Sequence, residues 1–215
     1  MRLRIAVLIA LVAGATWSCA SRTPPFGPAG IEDSRRALDA WKNALQRADS
    51  LGPVRLLYDA RMSHGLVRMP GTLAVVAVPG RLEATLSGPF GSPLARYTSG
   101  VLEASGARPI PLDAEELRAV LAGVWRAEPR VAGARDGQTL LRFPGKDEVE
   151  GVLEVSQARL ATLRIARPEA DLLATYSGRL DPWPERIAIE DRRSGRRLEL
   201  TLVAREPADP SPTSP

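Results

Sequence analysis

Side chains that titrate, attack a substrate or hold a metal are scarce in this chain. There is one cysteine, Cys19, and one histidine, His64. One of each leaves no Cys/His spacing for zinc and almost no material for a Cys–His or Ser–His couple. His64 lies beside Gly65 in an expected hairpin turn, which is the setting of a solvated side chain rather than a general base. No G-x-S-x-G or S-x-x-K occurs, and Gly145-Lys146 lacks the preceding glycine and following hydroxyl of a phosphate-binding loop. Carboxylates cluster twice. Asp113, Glu115 and Glu116 open an expected helix, where the helix dipole alone favours negative charge. Asp147, Glu148 and Glu150 flank a turn. The expectation is a protein that is not an enzyme, with no catalytic residue, no metal site and no cofactor.

Charge narrows the partners further. The 215 residues carry 29 basic and 25 acidic side chains, a formal net charge of +4. Arg2 and Arg4 lie in a segment expected to be removed, which leaves 27 basic against 25 acidic groups. Lysine occurs only at Lys42 and Lys146, so arginine supplies nearly all the positive charge. The arginines are scattered, except for Arg192, Arg193, Arg196 and Arg197 on an expected hairpin turn without interleaved aromatics. That is not the pattern of a nucleic-acid site. Two readings of the cluster stay open: charge that keeps an exposed turn soluble, or contact with anionic headgroups or lipopolysaccharide phosphates.

The N-terminus gives the cysteine its context. Met1-Arg2-Leu3-Arg4 leads into eleven uncharged residues, Ile5 to Ala15. A permanent membrane span needs about 20 apolar residues, so the run fits a secretory signal instead. The following Thr16-Trp17-Ser18-Cys19-Ala20-Ser21 resembles the lipobox of bacterial lipoproteins, with Thr16 and Trp17 where that family carries Leu and a small residue. The resemblance implies a signal peptide over 1–18 and a Cys19 bearing a thioether-linked diacylglycerol and an N-acyl chain. Several acyl chains anchor stably where one binds marginally. With no acidic residue at Ala20-Ser21, it also implies the outer membrane, periplasmic face.

The mature chain is long enough for one domain with its own core. Residues 19–30 hold Pro24, Pro25 and Pro28 and read as a flexible tether. Residues 206–215 hold four prolines and read as a disordered tail. The folded body is then 31–205. A first helix is expected over about 34–49, with Leu38, Trp41 and Leu45 on one stripe and Asp33 or Ser34 as its cap. A second is expected over 112–126. Asp113 and Glu116 there have capping-box spacing, and Leu117, Val120, Leu121 and Val124 follow the helical period. Most of the rest alternates. Leu82, Ala84 and Leu86 oppose Arg81, Glu83 and Thr85; Val149, Leu153 and Val155 oppose Glu150 and Glu154; Leu198, Leu200 and Leu202 oppose Glu199 and Thr201. Further strands are expected over 54–63, 72–78, 94–99, 138–143, 160–166 and 171–177, with another around Ile187 and Ile189. Some ten strands interrupted by a mid-chain helix describe a mainly β, α+β fold: an incomplete antiparallel barrel or strongly curved sheet. Periodicity alone leaves open whether its interior is a solid core or a cavity under a helical lid.

The segment Arg81 to Tyr97, with Gly88-Pro89-Phe90-Gly91 at its turn, resembles the strand–turn–strand of LolB-type outer-membrane lipoproteins, part of the LolA/LolB superfamily. There a G/N-P-L-G turn follows an alternating strand. The order of elements over most of 31–205 is similar as well. The resemblance implies a half-barrel whose apolar cavity receives lipoprotein acyl chains from a periplasmic carrier, and a protruding apolar residue, here Phe90, that helps deliver them to the outer membrane. Leu117, Leu121 and Val124 would be the lid's inner face, with Leu82 and Leu86 opposite. A monomer is expected. The alternative is an envelope-assembly lipoprotein with no ligand cavity. Cells fed radiolabelled palmitate should label the full-length chain, and Cys19→Ala should abolish the label.

Overall fold

The computed structural model describes residues 25–50, 52–78, 81–98, 101–104, 110–181 and 183–208. The signal segment, Cys19 and residues 209–215 lie outside the described residues. Two helices and twelve strands follow one another as α1 (Ile31–Ser50), β1 (Val54–His64), β2 (Val67–Val78), β3 (Arg81–Ser87), β4 (Pro93–Thr98), β5 (Val101–Ala104) and α2 (Ala114–Ala122). Next come β6 (Arg130–Arg135), β7 (Gln138–Phe143), β8 (Glu148–Glu154), β9 (Arg159–Arg167), β10 (Ala170–Asp181), β11 (Trp183–Asp191) and β12 (Arg196–Pro207).

All twelve strands form one antiparallel sheet in the order β5-β4-β3-β2-β1-β12-β11-β10-β9-β8-β7-β6. Every neighbour is a hairpin partner except one pair: β1 with β12, the first strand with the last. That single long-range pairing joins two meanders and leaves β5 and β6 as the open edges. Alternation then decides which face is buried. Leu56, Tyr58 and Ala60 on β1, Leu73 and Val75 on β2, and Leu198 and Leu200 on β12 all turn inward, and the residues between them face outward. A slip of one residue would send that whole set to solvent. One residue is inserted at Val203, where the register shifts between Leu57 and Tyr58, and Val203 is exposed.

The helices fill the buried side. α1 packs on β6, β7, β9 and the short turn of residues 155–157, and α2 packs on β3 and β11. α1 differs from the expected stripe. Its buried line is Ala37, Ala40, Trp41 and Ala44, with Leu38 and Leu45 only half-buried on the flank. Alanines let the helix approach the sheet closely, and Trp41 supplies the bulk; its indole N–H donates to the Trp125 carbonyl at 3.1 Å. The helix also begins earlier than expected. Ser34 lies inside it, and its N–H and hydroxyl both donate to the Gly30 carbonyl.

α2 begins as expected and ends sooner. The Asp113 carboxylate accepts from the Glu116 N–H at 2.8 Å, and the Glu116 carboxylate accepts from the Asp113 N–H at 2.9 Å. Gly123, at φ 64°, stops the helix three residues before Arg126. Its N–H donates to Val120 and that of Val124 to Ala119, which is the Schellman pattern.

The body is also longer than 31–205. Ala134 on β6 donates its N–H to Gly27 at 3.0 Å, and Phe26 lies under the Arg135 guanidinium at 5.0 Å. A Cβ on Gly133 would come within 2.8 Å of both Gly27 and Phe26, so that docking requires the glycine. The expected tether is therefore seated on the sheet edge from Phe26 onward. At the other end β12 runs through Glu206 and Pro207 opposite Arg55 and Val54, and buried Ala208 donates to the Pro53 carbonyl. Proline is tolerated at the strand's last position, where no further ladder bond is needed. Strands β5 and β6 were not expected; both are short edge strands.

Asp113→Ala removes the carboxylate that caps the Glu116 N–H and keeps the backbone N–H that donates to Glu116. It should cost about 1 kcal/mol, seen as a lower urea midpoint with an unchanged slope.

Candidate functional site

The topology fixes where a site can form. The chain leaves the sheet at one open edge, β5, and re-enters at the other, β6, and α2 lies on the way between them. It lies across the buried side of an unclosed sheet, held by contacts of three kinds.

The first is apolar. Leu117 and Leu121 point into the core with Val120, packed in the same continuous cluster as Leu82 and Leu86 on β3. These leucines are almost completely buried. The second is ionic. The Arg167 guanidinium donates to the Glu116 carboxylate at 2.6 Å and also to the Pro111 carbonyl, which joins the start of α2 to the end of β9. The third is a tie to the opposite half of the sheet: Arg118 donates to the Val78 carbonyl at 2.6 Å and to Arg81 at 3.4 Å. The acidic cluster at 113–116 therefore serves the helix start and this ion pair. Of the other cluster, Glu150 pairs with Arg142 and Arg164 across neighbouring strands. His64 is exposed at the end of β1.

Beside α2 a groove of about 640 Å³ opens between the helix, the end of α1 and the starts of β1 and β11. That volume falls within the ~300–1,000 Å³ typical of small-molecule sites. Its floor is Val54, Ala77, Val124 and Trp183. Its rim is charged: Arg126 and Asp49 form an ion pair at 2.7 Å, with Glu115 and Arg118 nearby. Of the five residues expected to line an acyl cavity, only Val124 borders this groove. Leu117, Leu121, Leu82 and Leu86 lie in the filled core, because α2 is seated directly on the sheet with no space beneath its leucines. The groove residues themselves carried little sequence signal, since alanines at strand ends and on a helix flank read as ordinary core.

The buried side also holds polar groups without a protein partner. The hydroxyls of Tyr58 and Tyr176 and the indole nitrogen of Trp183 make no hydrogen bond among the described residues. Burial pushes both phenols far above the ordinary tyrosine value, so they stay neutral donors. Tyr97 is pushed up to about 12 for the same reason.

Phe90 lies away from the groove, at the turn between β3 and β4. Its ring is fully exposed and its backbone adopts φ 62°, ψ 21°, the left-handed region that glycine normally occupies. Gly88 N–H donates to the Ser92 carbonyl at 2.8 Å and Gly91 N–H to Gly88 at 3.2 Å, which closes the turn and leaves the ring at its tip.

Glu116 makes the ion pair sensitive to pH. Burial pushes its carboxyl above the ordinary 4.5; the Asp113 N–H pulls it down, the Asp113 charge raises it, and Arg167 lowers it. A raised folded value contributes stability below 4.5 that is lost as pH rises through that value. Arg167→Ala removes a lowering influence and leaves a buried carboxylate without its cation. It should cost about 3 kcal/mol at neutral pH, and urea melts should show the deficit growing from pH 4 to pH 7.

No protein-family model and no curated protein matches this sequence. Solved structures do match in fold. A LolA superfamily protein from Nitrosomonas europaea is 15% identical, with 79% of this chain and 94% of that one covered at a TM-score of 0.55. A DUF1329 family protein from Desulfovibrio piger is 9% identical, with 83% and 94% covered at 0.58. The open, helix-lined sheet of this chain is thus the LolA/LolB type of fold.

Proposed function

We propose that this protein is an outer-membrane lipoprotein, anchored through Cys19 and facing the periplasm, that binds acyl chains and takes part in lipoprotein or lipid transfer into the membrane. The observation that carries the reading is the position of α2. It spans the unclosed side of an aliphatic half-barrel, with its leucines inward and an apolar groove along its flank. No covalent chemistry is needed. A chain entering beside Val124 and Trp183 extends under the helix as α2 lifts, and Leu117, Leu121, Leu82 and Leu86 become its walls. The Glu116–Arg167 and Arg118 ties set how much that opening costs. The ligands are acylated lipoprotein clients brought by a periplasmic carrier, and Phe90 is the apolar tip that enters the receiving membrane.

A second reading rests on the same core. Leu117 and Leu121 are packed without space beneath them, as in an envelope-assembly lipoprotein that holds a partner on its surface and binds no lipid.

Titration of the chain Ala20–Pro215 with a fluorescent fatty acid separates the two. The expected result is a saturable signal that unlabelled palmitate displaces. Ala119→Trp, which fills the groove from a half-buried helix flank, should weaken binding about tenfold with the melting temperature unchanged. No displaceable signal at saturating probe leaves the second reading.

A further inference from the structure

Six large apolar side chains are well exposed among the described residues: Ile31, Leu57, Leu66, Val67, Phe90 and Val203. Three of them, Leu66, Val67 and Phe90, belong to one end of the sheet, and strand register shows it. Thr72 of β2 pairs with Ser87, the last residue of β3. β2 therefore continues five residues past β3, to Val67, about 16 Å at 3.3 Å per residue. The β3–β4 turn with Phe90 packs against the flank of this extension, and the β1–β2 hairpin ends at Gly65-Leu66 beyond it.

The same register brings the arginine cluster alongside. His64 pairs with Val67 on one side and with Arg196 on the other, so the β1–β2 tip and the β11–β12 turn stand abreast. In the adjacent row Ser63 faces Arg68 and Arg197. The arginine turn is built rather than loose. Buried Asp191 accepts from the Ser194 hydroxyl at 2.5 Å, the Arg193 N–H at 3.1 Å and the Asp171 N–H at 3.4 Å, and its carbonyl accepts from Gly195 at 2.7 Å. Arg197 already has an ion pair with Glu199 at 2.9 Å. Arg61, Arg68, Arg192 and Arg193 form no ion pair among the described residues; the Arg193 guanidinium donates to the Pro168 carbonyl, and Arg192 and Arg193 both act on the Asp171 carboxylate through space.

We infer that the β1–β2 hairpin tip and the β11–β12 turn together form a docking surface for an anionic lipid bilayer. Leu66 and Val67 enter the headgroup–acyl boundary, Arg68, Arg192 and Arg193 meet lipid phosphates, and Phe90 adds a second apolar contact. Charge complementarity and exposed apolar area favour this occupant. A protein partner would have to cover a fully exposed leucine tip and a neighbouring group of arginines at once, whereas a bilayer interface offers anionic headgroups and acyl chains together. The surface is separate from the groove at α2, so it stands or falls apart from acyl binding.

The test is flotation of the chain Ala20–Pro215, which contains every described element and lacks Cys19, with vesicles of phosphatidylcholine alone or with phosphatidylglycerol added. The expected result is binding to the anionic vesicles that falls as salt rises. Arg192→Gln with Arg193→Gln should lower partitioning about 25-fold, from about fivefold per charge. Leu66→Ser with Val67→Ser should lower it on both vesicle types. Arg35→Gln with Arg36→Gln on α1 should leave it unchanged, and thermal melts confirm that each variant folds. A Leu66→Trp reporter should be quenched by acyl-brominated lipid beyond the quenching seen in the unmodified chain. Equal binding to both vesicle types, variants that match the unmodified chain, or a Leu66→Trp reporter with no added quenching would overturn the proposal. So would displacement from vesicles by inorganic phosphate at low millimolar concentration, which marks a small-anion site. Acyl-probe binding measured on the same variants stays intact if only the docking surface is lost, so its failure is distinguishable from failure of the groove.

Discussion

The pairing of β1 with β12 is the constraint on which the rest of the structure depends. Eleven residues of the first strand lie against the last, and every other ladder is a local hairpin. With the chain's two ends joined at the centre of the sheet, the middle of the chain has to form its edges. Those edges do not meet, and the segment that travels between them has to cross the buried side. α2 is that segment. Its placement follows from connectivity before any side chain is considered, and its side chains then make the placement stable.

How α2 is held reflects two opposed needs. Its leucine face gains from burial, since each leucine taken from water contributes about 1.5–3 kcal/mol. Its start is tied to one half of the sheet by Arg167 and its middle to the other by Arg118. A buried ion pair is weak as a source of stability and expensive to break on one side only. Such a tie specifies position more than it adds strength. The groove beside the helix exists because the flank facing it is built from alanines, Ala119 and Ala122, over a floor of Ala77 and Val54.

Much of this architecture was legible from alternation and capping. Strand β7 runs over 138–143 as its pattern indicates, and Asp113 with Glu116 makes the capping box that their spacing implies. What escaped has physical reasons. Apart from Trp41 the buried stripe of α1 is alanine, which ranks low on any apolar pattern, so the period marked by Leu38 and Leu45 is not the line the helix buries. Gly123 ends α2 through its left-handed backbone, while the apolar period continues past it to Val124. β6, Arg130-Val-Ala-Gly-Ala-Arg135, is half-buried and partnered on one side by the N-terminal arm, which no local pattern records. At the site, the turn around Phe90 was readable because glycine and proline isolate the ring. The groove was not, because its residues come from elements far apart in sequence and are mostly small.

Phe90 also says something about what shapes this chain over generations. A β-carbon at φ 62° and a ring in water both count against folding, and glycine or asparagine would sit there with less strain. Selection on stability alone would drift away from phenylalanine at this position. Among relatives, an aromatic or large aliphatic residue that persists in a left-handed tip would have to be kept by something outside the folded chain. A lineage that had lost that outside contact would be expected to lose the ring early, while the core beneath it changed slowly.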